Sequence, residues 1–123
     1  MKILIVDDSR VMRQIVIRTL RQAGLGDHAV VEGGDGREGL GLVQAENPDI
    51  VLSDWNMPEM SGIDFLQAVR ASGSTVPFGF VTSEGSPEMR SRAEAAGAQF
   101  LIAKPFTPEV FADAIGGALG ALH

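Results

Sequence analysis

The chain has no cysteine, which excludes a disulfide framework and any thiolate-bound metal and leaves the redox compartment open. It has no apolar stretch long enough to span a membrane. The opening run Ile3-Leu4-Ile5-Val6, directly after Met1-Lys2, is too short even for the core of a signal peptide. A cytoplasmic protein with no membrane partner is expected. Positive charge is scarce: 10 Lys and Arg against 16 Asp and Glu leave a net charge of -6, which argues against nucleic acid as a direct ligand. Repeats, low-complexity tracts and Pro/Gly/Ser linkers are missing too. A chain of 123 residues has room for one compact domain, residues 1–123, and no output domain is expected.

The composition that remains, 45% hydrophobic and 21% charged, is globular. Strand-like and helix-like segments alternate about five times along it, the pattern of an α/β fold whose parallel sheet is covered by helices on both faces. Ser9 caps a first helix with apolar positions at Met12, Ile15, Val16, Thr19 and Leu20, ending near Gly24. Ala29-Val30-Val31 reads as a short second strand, and Gly36 to Glu46 as a second helix before Asn47-Pro48. Ser61 opens a third helix with Ile63, Phe65, Leu66 and Val69 inside. Ser86-Pro87-Glu88 and Thr107-Pro108-Glu109 combine cap, first-turn proline and early acid, and open the fourth and fifth. Gly116, Gly117 and Gly120 make the fifth a soft element, and its apolar stripe runs through Val110, Phe111, Ala114, Ile115, Ala118 and Leu119.

Polar residues stand where apolar runs break off: Asp7-Asp8 after the first, Asp54 after Asp49-Ile50-Val51-Leu52-Ser53, Thr82 after Val76 to Val81, and Lys104 after Phe100-Leu101-Ile102-Ala103. In an open parallel sheet such points meet at one rim, where ligands bind. An acidic pair alone is weak evidence, because Asp8 or Ser9 could simply cap the next helix. Asp54 adds a third carboxylate at the lip of the core. Three carboxylates within about 4 Å of one another repel by several kcal/mol at an effective dielectric near 20. A hard divalent cation would relieve that, and magnesium, which accepts a few oxygens plus waters and a phosphate, fits best, with manganese as the alternative. Thr82 and Lys104 supply the hydroxyl and mobile ammonium that a transferring phosphoryl group needs. Each also has an ordinary reading, as a loop cap and a snorkelling surface lysine. The Lys104-Pro105 bond favours an extended or turn conformation and could be cis.

These segments, Ile3-Leu4-Ile5-Val6-Asp7-Asp8-Ser9, Ser53-Asp54-Trp55-Asn56-Met57-Pro58 with Gly62, Val81-Thr82-Ser83 and Ala103-Lys104-Pro105-Phe106, closely resemble the receiver domain of two-component response regulators, including the single-domain CheY-like chemotaxis group. The resemblance spans essentially the whole chain. It implies a doubly wound, flavodoxin-like five-stranded parallel sheet in the order 2-1-3-4-5, the order found in CheY itself, flanked by five helices. It makes Asp54 the acceptor of a phosphoryl group from a histidine kinase phosphohistidine. Asp8 and Asp54 would bind magnesium directly, Asp7 mainly through a water, and the backbone carbonyl of Asn56 would complete the set. Thr82, Lys104 and the backbone N–H of Ser83 would bind phosphoryl oxygens. Asn56 and Glu84 occupy the two positions that tune loss of the phosphate, and both match the short-lived chemotaxis receivers. The protein is thus expected to be a regulatory phosphoacceptor that also dephosphorylates itself, and not an enzyme with a separate substrate.

The family's output residue, an aromatic three positions before the lysine, is here Leu101, so the switch formed by Thr82 and that position is altered. Phe100 is adjacent in the strand and therefore points to the other face, as ordinary core. Readout is expected through loop and backbone shifts after the fourth strand. Arg10, Gln14, Ile17, Arg18 and Arg21 project from the first helix opposite its apolar stripe and form the expected docking face for a histidine kinase or histidine phosphotransfer protein. A downstream target, or a second copy on phosphorylation, would use the face from the fourth to the fifth helix; otherwise the protein is a monomer. Three alternatives stand beside this reading: a phosphorelay intermediate, a receiver-like module that is never phosphorylated, and a magnesium-dependent aspartate-nucleophile phosphohydrolase. The last normally carries a second aspartate where this chain has Asn56.

Overall fold

A computed structural model describes residues 1–25 and 29–120, without the side chains of the last two of these. The element order is β1 (Lys2–Val6), α1 (Arg10–Gln22), β2 (Ala29–Gly33), α2 (Gly36–Glu46), β3 (Ile50–Ser53), α3 (Gly62–Ala71), β4 (Phe78–Thr82), α4 (Pro87–Ala96), β5 (Phe100–Ala103) and α5 (Pro108–Gly120). All strand pairs are parallel and the sheet order is β2-β1-β3-β4-β5. Strand side chains alternate between two buried layers. Leu4, Val6, Val51, Phe78, Phe80 and Leu101 pack on the side of α2, α3 and α4. Ile3, Ile5, Ile50, Leu52, Val81 and Ile102 pack on the side of α1 and α5. Phe65, Phe78 and Phe80 are fully buried, each worth about 2–3 kcal/mol in removed apolar surface. Phe78 meets the other two edge-on, with centroids 5.2 and 5.3 Å apart.

The helix starts at Ser9, Ser61, Ser86 and Thr107 follow the caps expected, and the structure adds Asp35 as the cap of α2. Ser9, Asp35, Ser61 and Ser86 each accept a backbone N–H from three residues on, closing the first turn. Thr107 does the same for Val110 at the looser distance of 3.4 Å. β2 runs to Gly33, two residues beyond its apolar triplet, because Glu32 and Gly33 still pair through their backbones with Ile5 and Val6. Hydropathy does not register that pairing on an edge strand. Phe100 packs on the α1 and α5 side, and its ring lies over Gly79, where any β-carbon would overlap it. On α1 the structure differs from the sequence pattern at two positions: Ile15 is 37% exposed at the rim of the core, while Ile17, expected to be exposed, is half-buried and packed against the α1 and α5 layer.

Within α5, Val110 is 43% exposed, whereas Phe111, Ile115 and Ala118 are buried; the Leu119 side chain lies outside the described residues. Gly116 and Gly117 are exposed, and a β-carbon at either would meet nothing within 4 Å. Gly116→Ala and Gly117→Ala should therefore each stabilise the protein by about 1 kcal/mol, read as a higher urea midpoint with an unchanged slope. A loss of stability would mean that this helix depends on its glycines.

Candidate functional site: an acidic cluster at the carboxyl rim of the sheet

Register brings the scattered polar residues together. Val6 pairs with Ser53 and Thr82 with Ala103, so Asp7, Asp54, Thr82 and Lys104 all fall at the carboxyl ends of neighbouring strands. Backbone bonds hold these ends: the Asp54 N–H donates to the Val6 carbonyl at 2.9 Å, and the Lys104 N–H to the Thr82 carbonyl at 2.8 Å. The Asp54 carboxylate accepts the Trp55 N–H at 2.8 Å. Behind it, Gly62 donates to the Trp55 carbonyl at 2.7 Å. A side chain at Gly62 would collide with the Asp54 carbonyl, so the close approach requires glycine.

Asp7, Asp8 and Asp54 each present an oxygen within 4.8 Å of the others. The Lys104 ammonium lies 3.8 Å from Asp7 Oδ2 and 4.0 Å from Asp54 Oδ1. All three acidic donors are hard oxygens, so the cluster could hold a divalent cation of that preference and offers nothing suited to a soft one. Asp7 is almost fully buried, Asp54 half-buried and Asp8 exposed. Burial pushes the Asp7 pKa up to about 6; the Ser9 N–H opposes the rise, Asp54 adds repulsion, Lys104 offsets part of it, and Asp8 adds more. Asp54 is also raised, first by burial, against the pull of Lys104 and the Trp55 N–H.

Thr82 is fully buried, and its hydroxyl accepts the Glu84 N–H at 3.3 Å. Asn56, Ser83 and Glu84 are exposed around the rim. The Lys104-Pro105 peptide is cis. Leu101 is buried beside Phe80, and its carbonyl accepts the Arg90 guanidinium of α4 at 3.1 Å. Arg10, Gln14, Arg18 and Arg21 are exposed on α1 as expected, but the burial of Ile17 removes the apolar centre of that face. The exposed large apolar residues of α1 are Val11, at 71%, and Ile15. Ile15 joins Met12, Pro105 and Phe106 around a groove of about 420 Å³ that reaches Lys104. Sequence reasoning missed this groove because half of it comes from the loop after β5. It also missed Arg13, whose guanidinium donates to the Asp7 carbonyl at 2.6 Å, and the Arg92 guanidinium 5.6 Å over the Trp55 ring. Nothing local in the sequence connects Arg92 with Trp55, and Arg13 reaches the Asp7 carbonyl only through the turn from β1 into α1.

A family profile for the response regulator receiver domain matches residues 3–116. The chain belongs to that family, a class of regulatory domains in two-component signalling. Within it, the chain is 40% identical to the probable chemotaxis protein CheY of Rhizobium etli over 98% of this chain and 94% of the relative. It is 41% identical to the chemotaxis protein CheY of Pseudomonas aeruginosa over 94% and 93%. The chemotaxis protein CheY4 of Vibrio cholerae superposes with a TM-score of 0.85 at 39% identity, covering 96% of this chain and 98% of that one. No helix among the described residues is long and apolar enough to cross a membrane.

The raised Asp7 pKa carries a definite sign for the metal-free protein. The folded state keeps the proton up to about pH 6, while the ordinary carboxyl value is 3.8. Stability from this group is therefore full below about pH 4 and lost as pH rises through about 6. Asp7→Asn should stabilise the metal-free protein by about 1–3 kcal/mol at pH 7.5 and hardly at all at pH 4. Thermal melts in chelator at the two pH values measure this; an equal effect at both would show that Asp7 ionises normally.

Proposed function

We propose that the protein is a chemotaxis-type response regulator, phosphorylated on Asp54 by a histidine kinase and signalling by phosphorylation-dependent binding to another protein. The observation that carries this reading is the approach of three carboxylate oxygens within 4.8 Å, with the Lys104 ammonium 4.0 Å from Asp54 Oδ1. In the transfer, an Asp54 oxygen bonds to phosphorus as the phosphorus–nitrogen bond of the donor breaks, and the electron pair stays on the imidazole nitrogen. Lys104 lies beside the Asp54 carboxylate and can pair with a phosphoryl oxygen; the Thr82 hydroxyl and Ser83 N–H would serve the others. Asp8, Asp54 and the Asn56 carbonyl, with Asp7 through water, would hold magnesium, which when bound neutralises charge gathering on the phosphoryl oxygens. Asn56 and Glu84, both exposed beside the rim, would let water reach the aspartyl phosphate, so the signal should decay within minutes rather than hours.

The test is intact-protein mass after incubation with acetyl phosphate. One phosphoryl group should appear with Mg²⁺, and none with chelator or in Asp54→Asn. Labelling that survives Asp54→Asn would reject the assignment.

The kinase would dock on the groove beside Lys104, with Val11 and Ile15 as apolar anchors and Arg10, Gln14, Arg18 and Arg21 around them; Ile17 supports the core beneath. Val11→Glu should slow phosphotransfer from the cognate kinase about tenfold, roughly 1.4 kcal/mol, while acetyl phosphate labels it at the parental rate. Equal loss with both donors would reject this docking face. For output, the chain from Thr82 into α4 is the route we favour. α4 begins shortly after the phosphoryl ligands, has Ala93 as its one buried residue, and is tied to β5 through Arg90 and the Leu101 carbonyl.

A further inference from the structure

Asp8 is the most exposed of the three clustered carboxylates, and among the described residues its side chain takes part in no hydrogen bond or ion pair. Its direction is therefore set by the backbone, above all by the plane of the Asp7–Asp8 peptide. Asp7 is held at its N–H, which donates to the Gly33 carbonyl at 3.1 Å, and at its carboxylate, which accepts the Ser9 N–H at 2.8 Å. Its carbonyl, the oxygen of the peptide that leads into Asp8, is held by Arg13 Nη1 at 2.6 Å. Arg13 is itself fixed: its Nε donates to Glu32 Oε1 at 3.0 Å, and its side chain is only 16% exposed. Glu32 belongs to β2, the edge strand paired with β1. A chain of contacts thus runs from the edge of the sheet through Arg13 to the peptide that aims Asp8.

We propose that Arg13 is a positioning residue for the divalent-cation centre, holding the Asp7 carbonyl so that Asp8 presents its carboxylate toward Asp54 and Asp7. The inference rests on the cation-binding reading above and goes beyond it, since Arg13 touches neither the cation nor the phosphoryl group. Charge alone gives the opposite expectation. A guanidinium near an acidic cluster repels a second cation, so deleting it would tighten binding. Glu32 neutralises most of that charge by direct pairing, which leaves the hydrogen bond to the carbonyl as the larger effect.

Trp55 is the single tryptophan of the chain and its N–H is bonded to Asp54, so its emission can report cation binding without any phosphoryl chemistry. Mg²⁺ is titrated at pH 7.5 and constant ionic strength into the unphosphorylated parent, Arg13→Ala, Arg13→Gln and Arg13→Lys. Arg13→Ala should raise the Mg²⁺ dissociation constant fivefold or more. Arg13→Gln and Arg13→Lys, which keep an N–H donor, should fall between it and the parent. The lost labelling by acetyl phosphate should return when Mg²⁺ is raised in proportion. Unchanged or tighter binding in Arg13→Ala would overturn the proposal, as would a drop in metal-free melting temperature with no change in affinity. If Arg13→Ala does not fold, the other two decide, since charge alone requires tighter binding in Arg13→Gln and parental binding in Arg13→Lys. A parent with no saturable response to Mg²⁺ would overturn the cation-binding reading itself, whereas equal saturable binding in parent and variants would remove only the role of Arg13.

Discussion

Three carboxylates held against one ammonium at the rim of a parallel sheet are the constraint on which the rest of this molecule turns. Asp7, Asp8 and Asp54 face one another within 4.8 Å, and Lys104, at 3.8 and 4.0 Å from two of them, balances only part of their charge. Burial adds to the cost, because a carboxylate out of water favours its neutral form. The upward shifts of Asp7 and Asp54 express that strain. A chain selected for stability alone would place apolar or neutral residues here. A partner that supplies positive charge turns the same repulsion into binding energy.

The fold exists around this point as a rigid holder. Each clustered residue follows a strand whose side chains are buried on both faces, so the ends cannot drift apart without breaking the core. Backbone bonds from Asp54 to Val6 and from Lys104 to Thr82 lock neighbouring ends, and the contact of Gly62 with the Asp54 backbone closes the loop behind the acceptor. Farther away the holding is lighter. α4 buries Ala93 and touches the site through Trp55 and the Arg92 above it. The carboxylates are thus anchored through the sheet, while α4, directly downstream of Thr82, is held by fewer buried side chains.

Much of this was legible in the sequence, for reasons that are local. Strand runs ending in Asp7, Asp54, Thr82 and Lys104, and serine caps three residues ahead of their partners, are patterns within a few positions of one another. The parallel sheet that gathers the strand ends follows from alternation alone. What escaped were relations between distant segments. Glu32 and Gly33 join β2 by pairing with β1, though their side chains do not look like strand. Phe100 depends on the space left by Gly79 across the strand pair. Ile17 lies on the apparent polar side of α1 but is half-buried against the core around α5, because the buried arc of that helix is wider than its strongest apolar stripe. The groove at Ile15 needs the loop after β5, and the Arg13 contact with Asp7, six residues away, depends on how α1 leaves β1.

The proton and the divalent cation are alternative ways of relieving the same repulsion, and their competition is the most direct test of this account. Melting temperatures of the parent protein would be compared with and without saturating Mg²⁺ at pH 8 and at pH 5. The account predicts a clear rise with Mg²⁺ at pH 8 that shrinks at pH 5, where a proton on Asp7, whose pKa is pushed up to about 6, has already taken the place of the cation. No rise at pH 8, or the same rise at both pH values, would contradict it.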